Sequence, residues 1–95
     1  MIHREFVVEG KTVTGVELAL PGAPLVLAYG KNGFVMCGYL NIETANKVGA
    51  AAAVVRGVNT IDDLLKAPIQ QVSTEAQKKG INVGDVGSVA LARLA

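Results

Sequence analysis

Apolar and polar positions alternate along the amino-terminal part of the chain. Ile2, Phe6 and Val8 share one parity, and Thr12 to Leu20 is rich in β-branched and apolar residues, a period of two that makes strands rather than helices. Gly10-Lys11 between them suits a two-residue hairpin turn, which would set Arg4 opposite Glu17 as a cross-strand ion pair. Leu20-Pro21-Gly22-Ala23 carries the type II turn pattern, Pro presetting φ at the second position and Gly accepting positive φ at the third. Two further apolar runs, 25–29 and 34–40, flank Lys31-Asn32-Gly33, and Asn-Gly in that setting is a strong hairpin signal.

The pattern then lengthens. Asn41 is placed to cap a helix over 42–48, Glu43 suits the positive end of its dipole, and Gly49 closes it. Ala51 to Arg56 reads as a strand apolar on both faces, so strand, helix and strand form a right-handed crossover with 34–40 and 51–56 parallel. Thr60 starts a short helix through Lys66 that ends before Pro68. Residues 69–72 follow as a short edge strand, and Ser73 caps a helix over 74–79 that Gly80 terminates. Asp85 is placed to cap a last helix in which Val86, Val89, Ala90 and Leu94 fall near one face. The fold class is α+β: an N-terminal antiparallel β region, then a mixed sheet packed by three to four short helices, in one domain spanning 1–95.

Composition adds a need for help from outside the core. A chain of 95 residues buries roughly 60–65% of the surface its unfolded form exposes. Hydrophobic residues make up 51% of it, but 13 are Ala and only 4% of residues are aromatic, so the apolar surface is broad and shallow. One Cys and one His exclude an intrachain disulfide and argue against a structural zinc site. Self-association is the support that remains. The formal charge is +1 and the basic residues are scattered, which disfavours nucleic acid as a partner. The uncharged run 18–30 is too short for a bilayer and is broken by Pro21, Gly22 and Pro24. The start has no signal-peptide pattern. A cytoplasmic protein with a free thiol is expected.

The segments "APLVLAYGKNGFVMCGYLNIE" and "AAAVVRGV", a Thr-capped acidic helix with "DLL", and the glycine-spaced "GINVGDVG" together resemble the YunC-like family, a small bacterial and archaeal domain of unknown function. The likeness covers nearly the whole chain and is most specific at MCGYLN. It implies a two-layer α-β sandwich whose amino-terminal β region, residues 1–20, drives formation of a homotetramer. It implies no activity, cofactor or catalytic residue.

Several residues bear on chemistry. Cys37 would need a base, a cation or a helix terminus to become a thiolate, whereas free Cys is more often packed in a core. His3 is the one histidine; it would pair with Cys37 only across a subunit boundary, nothing in the spacing requires that, and a lone His so near the start is more often a surface or interface side chain. Gly80, Gly84 and Gly87 lack the Lys-Ser/Thr ending of a phosphate loop, and Asp62-Asp63 point about 100° apart on a helix, so turns and a helix start account for them. A quieter group lies beyond the strand ends, where parallel α/β sheets bind ligands: Asn41, Arg56, Asn59 and Thr60 are positioned to hold a small anion, unless Arg56 pairs with Glu43 or Asp62. Two functions fit these residues. One is a non-catalytic homo-oligomeric module that binds a small anionic ligand; the other is an enzyme on such a substrate, with Arg56 as the anion clamp and Cys37 or Tyr39 beside it.

Overall fold

A computed structural model describes residues 1–95. Six strands form one mixed sheet in sequence order, β1 (Ile2–Val8), β2 (Lys11–Leu18), β3 (Leu25–Tyr29), β4 (Phe34–Met36), β5 (Ala52–Val54) and β6 (Gln71–Val72). Four helices complete it: α1 (Ile42–Val48), α2 (Ile61–Lys66), α3 (Thr74–Lys78) and α4 (Gly87–Leu94). The α+β class is as read from the pattern, and so is the crossover, with Phe34, Val35 and Met36 paired in parallel to Ala52, Ala53 and Val54.

The first hairpin turns one residue earlier than its sequence indicates. Val8 pairs with Lys11, so the turn residues are Glu9 and Gly10, with φ of 48° and 79°. Positive φ at both central positions is the geometry that matches the twist of a hairpin. The register shift moves Arg4 opposite Gly15 rather than Glu17. Arg4 instead reaches Asp62 at 3.2 Å and lies over the Phe6 ring, which ties β1 to the start of α2.

Register and alternation divide the sheet into two faces. Gly15, Ala28, Val35 and Ala53 lie side by side on one of them, under α2 and α4. At Gly15 an added Cβ would stand 2.8 Å from Ile61, so glycine there lets α2 sit directly on β2. The core is a layer of Val13, Val26, Val35, Ile61, Leu64, Ile81, Leu91 and Leu94, with smaller residues between. Across the ladder on the opposite face run Val16, Leu27, Met36 and Val54. Here α1 packs its one buried residue, Ala45, against β5, whose residues are buried on both sides.

The helix caps at Asn41, Thr60 and Ser73 form as expected, each side chain accepting from backbone N–H groups of the first turn. Ser73 does more than cap. Fully buried, its hydroxyl accepts from Ala52 N at 2.9 Å and donates to Ala50 O at 2.8 Å. Asp85 does not cap α4: it accepts from Asn82 N at 2.9 Å, inside the preceding turn, and the N-cap of α4 is Val86, which offers no side-chain cap. Val86 and Val89 are exposed, and the buried stripe is Gly87, Ala90, Leu91, Ala92 and Leu94. The α4 stripe follows Gly87, whose added Cβ would stand 2.0 Å from Leu64 O. That close helix contact sets which side of α4 faces inward.

Candidate functional site

The ends of the parallel strands come first, since a ligand site between them depends on where pairing stops. β4 ends at Met36, not at Leu40; Val55 N donates to Met36 O, Cys37 N donates to Val26 O, and the chain turns so that Leu40 N donates to Cys37 O at 3.1 Å. β5 ends at Val54, and Gly57, at φ 71°, redirects the chain toward α2. Two loops, 37–40 and 55–60, therefore face each other at the carboxyl end of the sheet.

Between them lies a cleft of about 360 Å³. Ala23 and Pro24 from the β2–β3 connection form one wall, Gly38 and Tyr39 another, and Gly57, Val58 and Asn59 a third, with Cys37 at its base. A second depression, of about 430 Å³, runs from the other side of Gly38 and Tyr39 to Asn41, Glu43 and Gln71. Gly38 and Tyr39 are the ridge common to both.

Arg56 lies against Gly38 but lines neither depression. An added Cβ at Gly38 would lie 3.2 Å from its Nη1, so the glycine makes room for the guanidinium. The only hydrogen bond of the side chain is a long one, Nη2 donating to Gln71 Oε1 at 3.5 Å. Neither Glu43 nor Asp62 neutralises it, since the salt bridges of the chain are Arg4–Asp62 and Lys78–Glu75.

The other expected site residues divide. Asn59 lines the first cleft and Asn41 the second, but Asn41 Oδ1 is engaged by Glu43 N and Thr44 N. Thr60 lines neither, and its hydroxyl accepts from Asp63 N at 3.0 Å. Asp63 in turn accepts from Asn59 N at 3.1 Å. The two helix starts thus satisfy much of their own capping need from within the chain. Four residues that line the first cleft, Gly38, Tyr39, Gly57 and Val58, have backbone N–H groups with no acceptor in the protein, and Gly38, Tyr39 and Gly57 are exposed to solvent. Glycine shortly after each apolar run was the signal for them.

Cys37 is 5% exposed and its Sγ accepts from Val26 N at 3.4 Å. His3 lies in β1, three strands from β4 in the sheet. Tyr39 is half exposed, yet its hydroxyl donates to Ala23 O at 2.9 Å and bridges the first cleft. Gly80 and Gly84 take positive φ in turns, and Asp62 and Asp63 sit in the first turn of α2.

A mixed sheet built around one parallel pair, with four short helices packed on it, defines a small α+β domain. Residues 36–94 match the family model "Domain of unknown function (DUF1805)", and the chain belongs to that family. It is 35% identical over 91 residues to "Uncharacterized protein YunC" of Bacillus subtilis (strain 168), the match covering 92% of this chain and 90% of that protein. It is also similar to the crystal structure of a protein of unknown function from Thermoplasma acidophilum, at 44% identity and a TM-score of 0.95, covering 99% of this chain and 92% of the other.

Proposed function

We propose that this protein is a self-assembling module that works as a homotetramer, built through its amino-terminal β region, rather than an enzyme with a cysteine nucleophile. One observation carries the reading. β3 has the sequence LVLAY, with Val26 and Ala28 buried under the helices, while Leu25, Leu27 and Tyr29 lie on the opposite face. An antiparallel strand with one face in water alternates apolar with polar; this strand is apolar on both.

The same face continues laterally. Leu25 pairs with Leu18, Leu27 with Val16, and Tyr29 with Phe34, giving a band of apolar side chains that α1, set over β5, leaves open along β2 and β3. Leu18 and Tyr29 are 36% and 41% exposed. Continuous apolar bands of this kind mark association surfaces. β1 adds an unpaired edge seven residues long, bonded to β2 alone, and such an edge is a template for another strand. Residues 1–20 contribute the edge and, through Val16 and Leu18, one side of the band.

No helix is long and apolar enough to cross a membrane, and a free, buried Cys37 accords with a reducing, cytoplasmic setting. Cys37 also argues against the enzyme reading, because its thiol packs against Val26 N and the one histidine is three strands away.

Light scattering tests the assembly. The expected mass is four times the 9.8 kDa of one chain, and Tyr29→Lys combined with Leu18→Lys, both at exposed positions, lowers it. A monomeric mass for the wild type at micromolar concentration would end the proposal.

A further inference from the structure

We propose that Asn32 latches the carboxyl end of α4 to the β3–β4 turn, and that spontaneous deamidation at Asn32-Gly33 opens the latch. This goes beyond self-assembly and does not depend on it.

The end of α4 takes its partners from outside the helix, because the last carbonyls of a helix have no intrahelical donor. Two hairpin turns supply them. Lys11 Nζ donates to Ala92 O at 3.2 Å, and Asn32 donates twice, from its backbone N to Leu94 O at 2.7 Å and from Nδ2 to Ala95 O at 2.8 Å. The fit around this contact is close. A Cβ at Gly30 would strike Ala95 Cα, and one at Gly33 would strike Ala51 O and stand 2.8 Å from Leu94 Cδ2. Leu94 is fully buried in the core, so the latch holds a core side chain in place and not only the last turn of the helix.

The same dipeptide carries its own chemistry. Of the five asparagines Asn32 alone precedes Gly; Ile42, Lys47, Thr60 and Val83 follow the others. With no side chain on the following residue, its main-chain nitrogen can approach the asparagine amide. The Gly33 N–H makes no hydrogen bond within the chain, and Asn32 is exposed to water, so the nucleophile is uncommitted and solvent reaches the reacting group. Once solvent base removes its proton, Gly33 N attacks Asn32 Cγ, the bond from Cγ to Nδ2 breaks, and ammonia leaves a succinimide ring. Water then opens the ring at either carbonyl to give aspartate or isoaspartate. The net change is amide and water to carboxylate and ammonium.

Both products undo the latch. Where Nδ2 donated, a carboxylate oxygen can only accept, and it faces Ala95 O, another acceptor, at the negative end of the α4 dipole. Isoaspartate also adds a carbon to the main chain just before Gly33, in a slot too tight to admit a Cβ.

The test ages the whole protein in mildly alkaline buffer and follows the mass of each asparagine-containing peptide. Asn32 is expected to convert before the other four, and Asn32→Gln, which keeps an amide but closes the ring far less readily, should stay unmodified at this position. Asn32→Asp supplies the product directly: its urea midpoint should fall below that of the wild type, and the Leu94 amide should exchange hydrogen faster while Ala76 in α3 does not change. Asn32→Ala, which removes the Nδ2 donor without adding a charge, is the milder second variant and should lower the midpoint by less. The proposal is overturned if Asn32 remains an amide while another asparagine converts. It is equally overturned if either Asn32→Asp or Asn32→Ala unfolds at the wild-type midpoint.

Discussion

At the scale of single residues, two glycines with nothing to distinguish them in sequence have opposite tolerances. Gly87 starts α4 where a Cβ would stand 2.0 Å from Leu64 O. That atom is backbone and cannot move aside without separating α2 from α4. Gly87→Ala is therefore expected to cost about 3 kcal/mol or more, the overpacking penalty for a rigid contact, seen as a large fall in the denaturation midpoint. Gly38→Ala meets only a flexible guanidinium, and its effect on stability should stay within about 1 kcal/mol. Cys37 is a third case. Its thiol is buried and accepts from Val26 N, so Cys37→Ala leaves a small cavity and an unmet donor, at a cost of about 1–2 kcal/mol. A thiol reagent should react with native Cys37 far more slowly than with the denatured chain. Faster reaction in the native state would return weight to Cys37 as a nucleophile.

At the scale of elements, the sequence was legible where side chains themselves do the work. Asn41, Thr60 and Ser73 were read as caps because their oxygens are the acceptors, and they accept as expected. Glycines were harder, since one residue type serves two physical ends. Gly33 marks the β3–β4 hairpin, yet its φ is not positive; it is there because Ala51 O would stand 2.2 Å from a Cβ. The hairpin was read correctly and the reason for its glycine was not. In the β1–β2 turn the error ran the other way. Glu9 takes φ 48°, a conformation its side chain does not advertise, so the pattern points to a turn one residue late and sets Arg4 opposite Glu17 in place of Gly15. The strain offers a prediction. Asn adopts positive φ more readily than Glu, and Asn-Gly is the favoured pair for this turn. Glu9→Asn should stabilise the protein by about 0.5–1 kcal/mol, measured as a rise in the midpoint of urea unfolding. A neutral or lower midpoint would show that the turn is not held in this conformation.

The candidate cleft and the open sheet face belong to the whole molecule, which is why the chain alone told only part of each. Arg56 and Asn59 were visible as polar residues following an apolar run. The free N–H groups were not, because they arise from where the β4–β5 pairing stops, and no side chain encodes that point. Similarly, the run 25–29 was legible as a strand, while its second apolar face became evident only once register put Leu27 beside Val16 and the helices on the other side. These two faces impose a thermodynamic consequence. If the apolar band is buried only by other copies of the chain, the folded assembly is favoured by mass action, since association removes native monomer and leaves the unfolded chain untouched. The midpoint of thermal unfolding should then rise with protein concentration, and the rise should vanish in Tyr29→Lys/Leu18→Lys. That double variant is fit for the purpose because neither side chain is buried under a helix, and its isolated fold keeps the whole Ile61–Leu64–Leu91–Leu94 core. Calorimetry over a hundredfold range of concentration reads both proteins. A wild-type midpoint independent of concentration, together with a monomeric mass, would mean that the band is tolerated in water and that the small core suffices by itself; a dependence that persists in the variant would place the interface elsewhere, on the β1 edge rather than on the β2–β3 face.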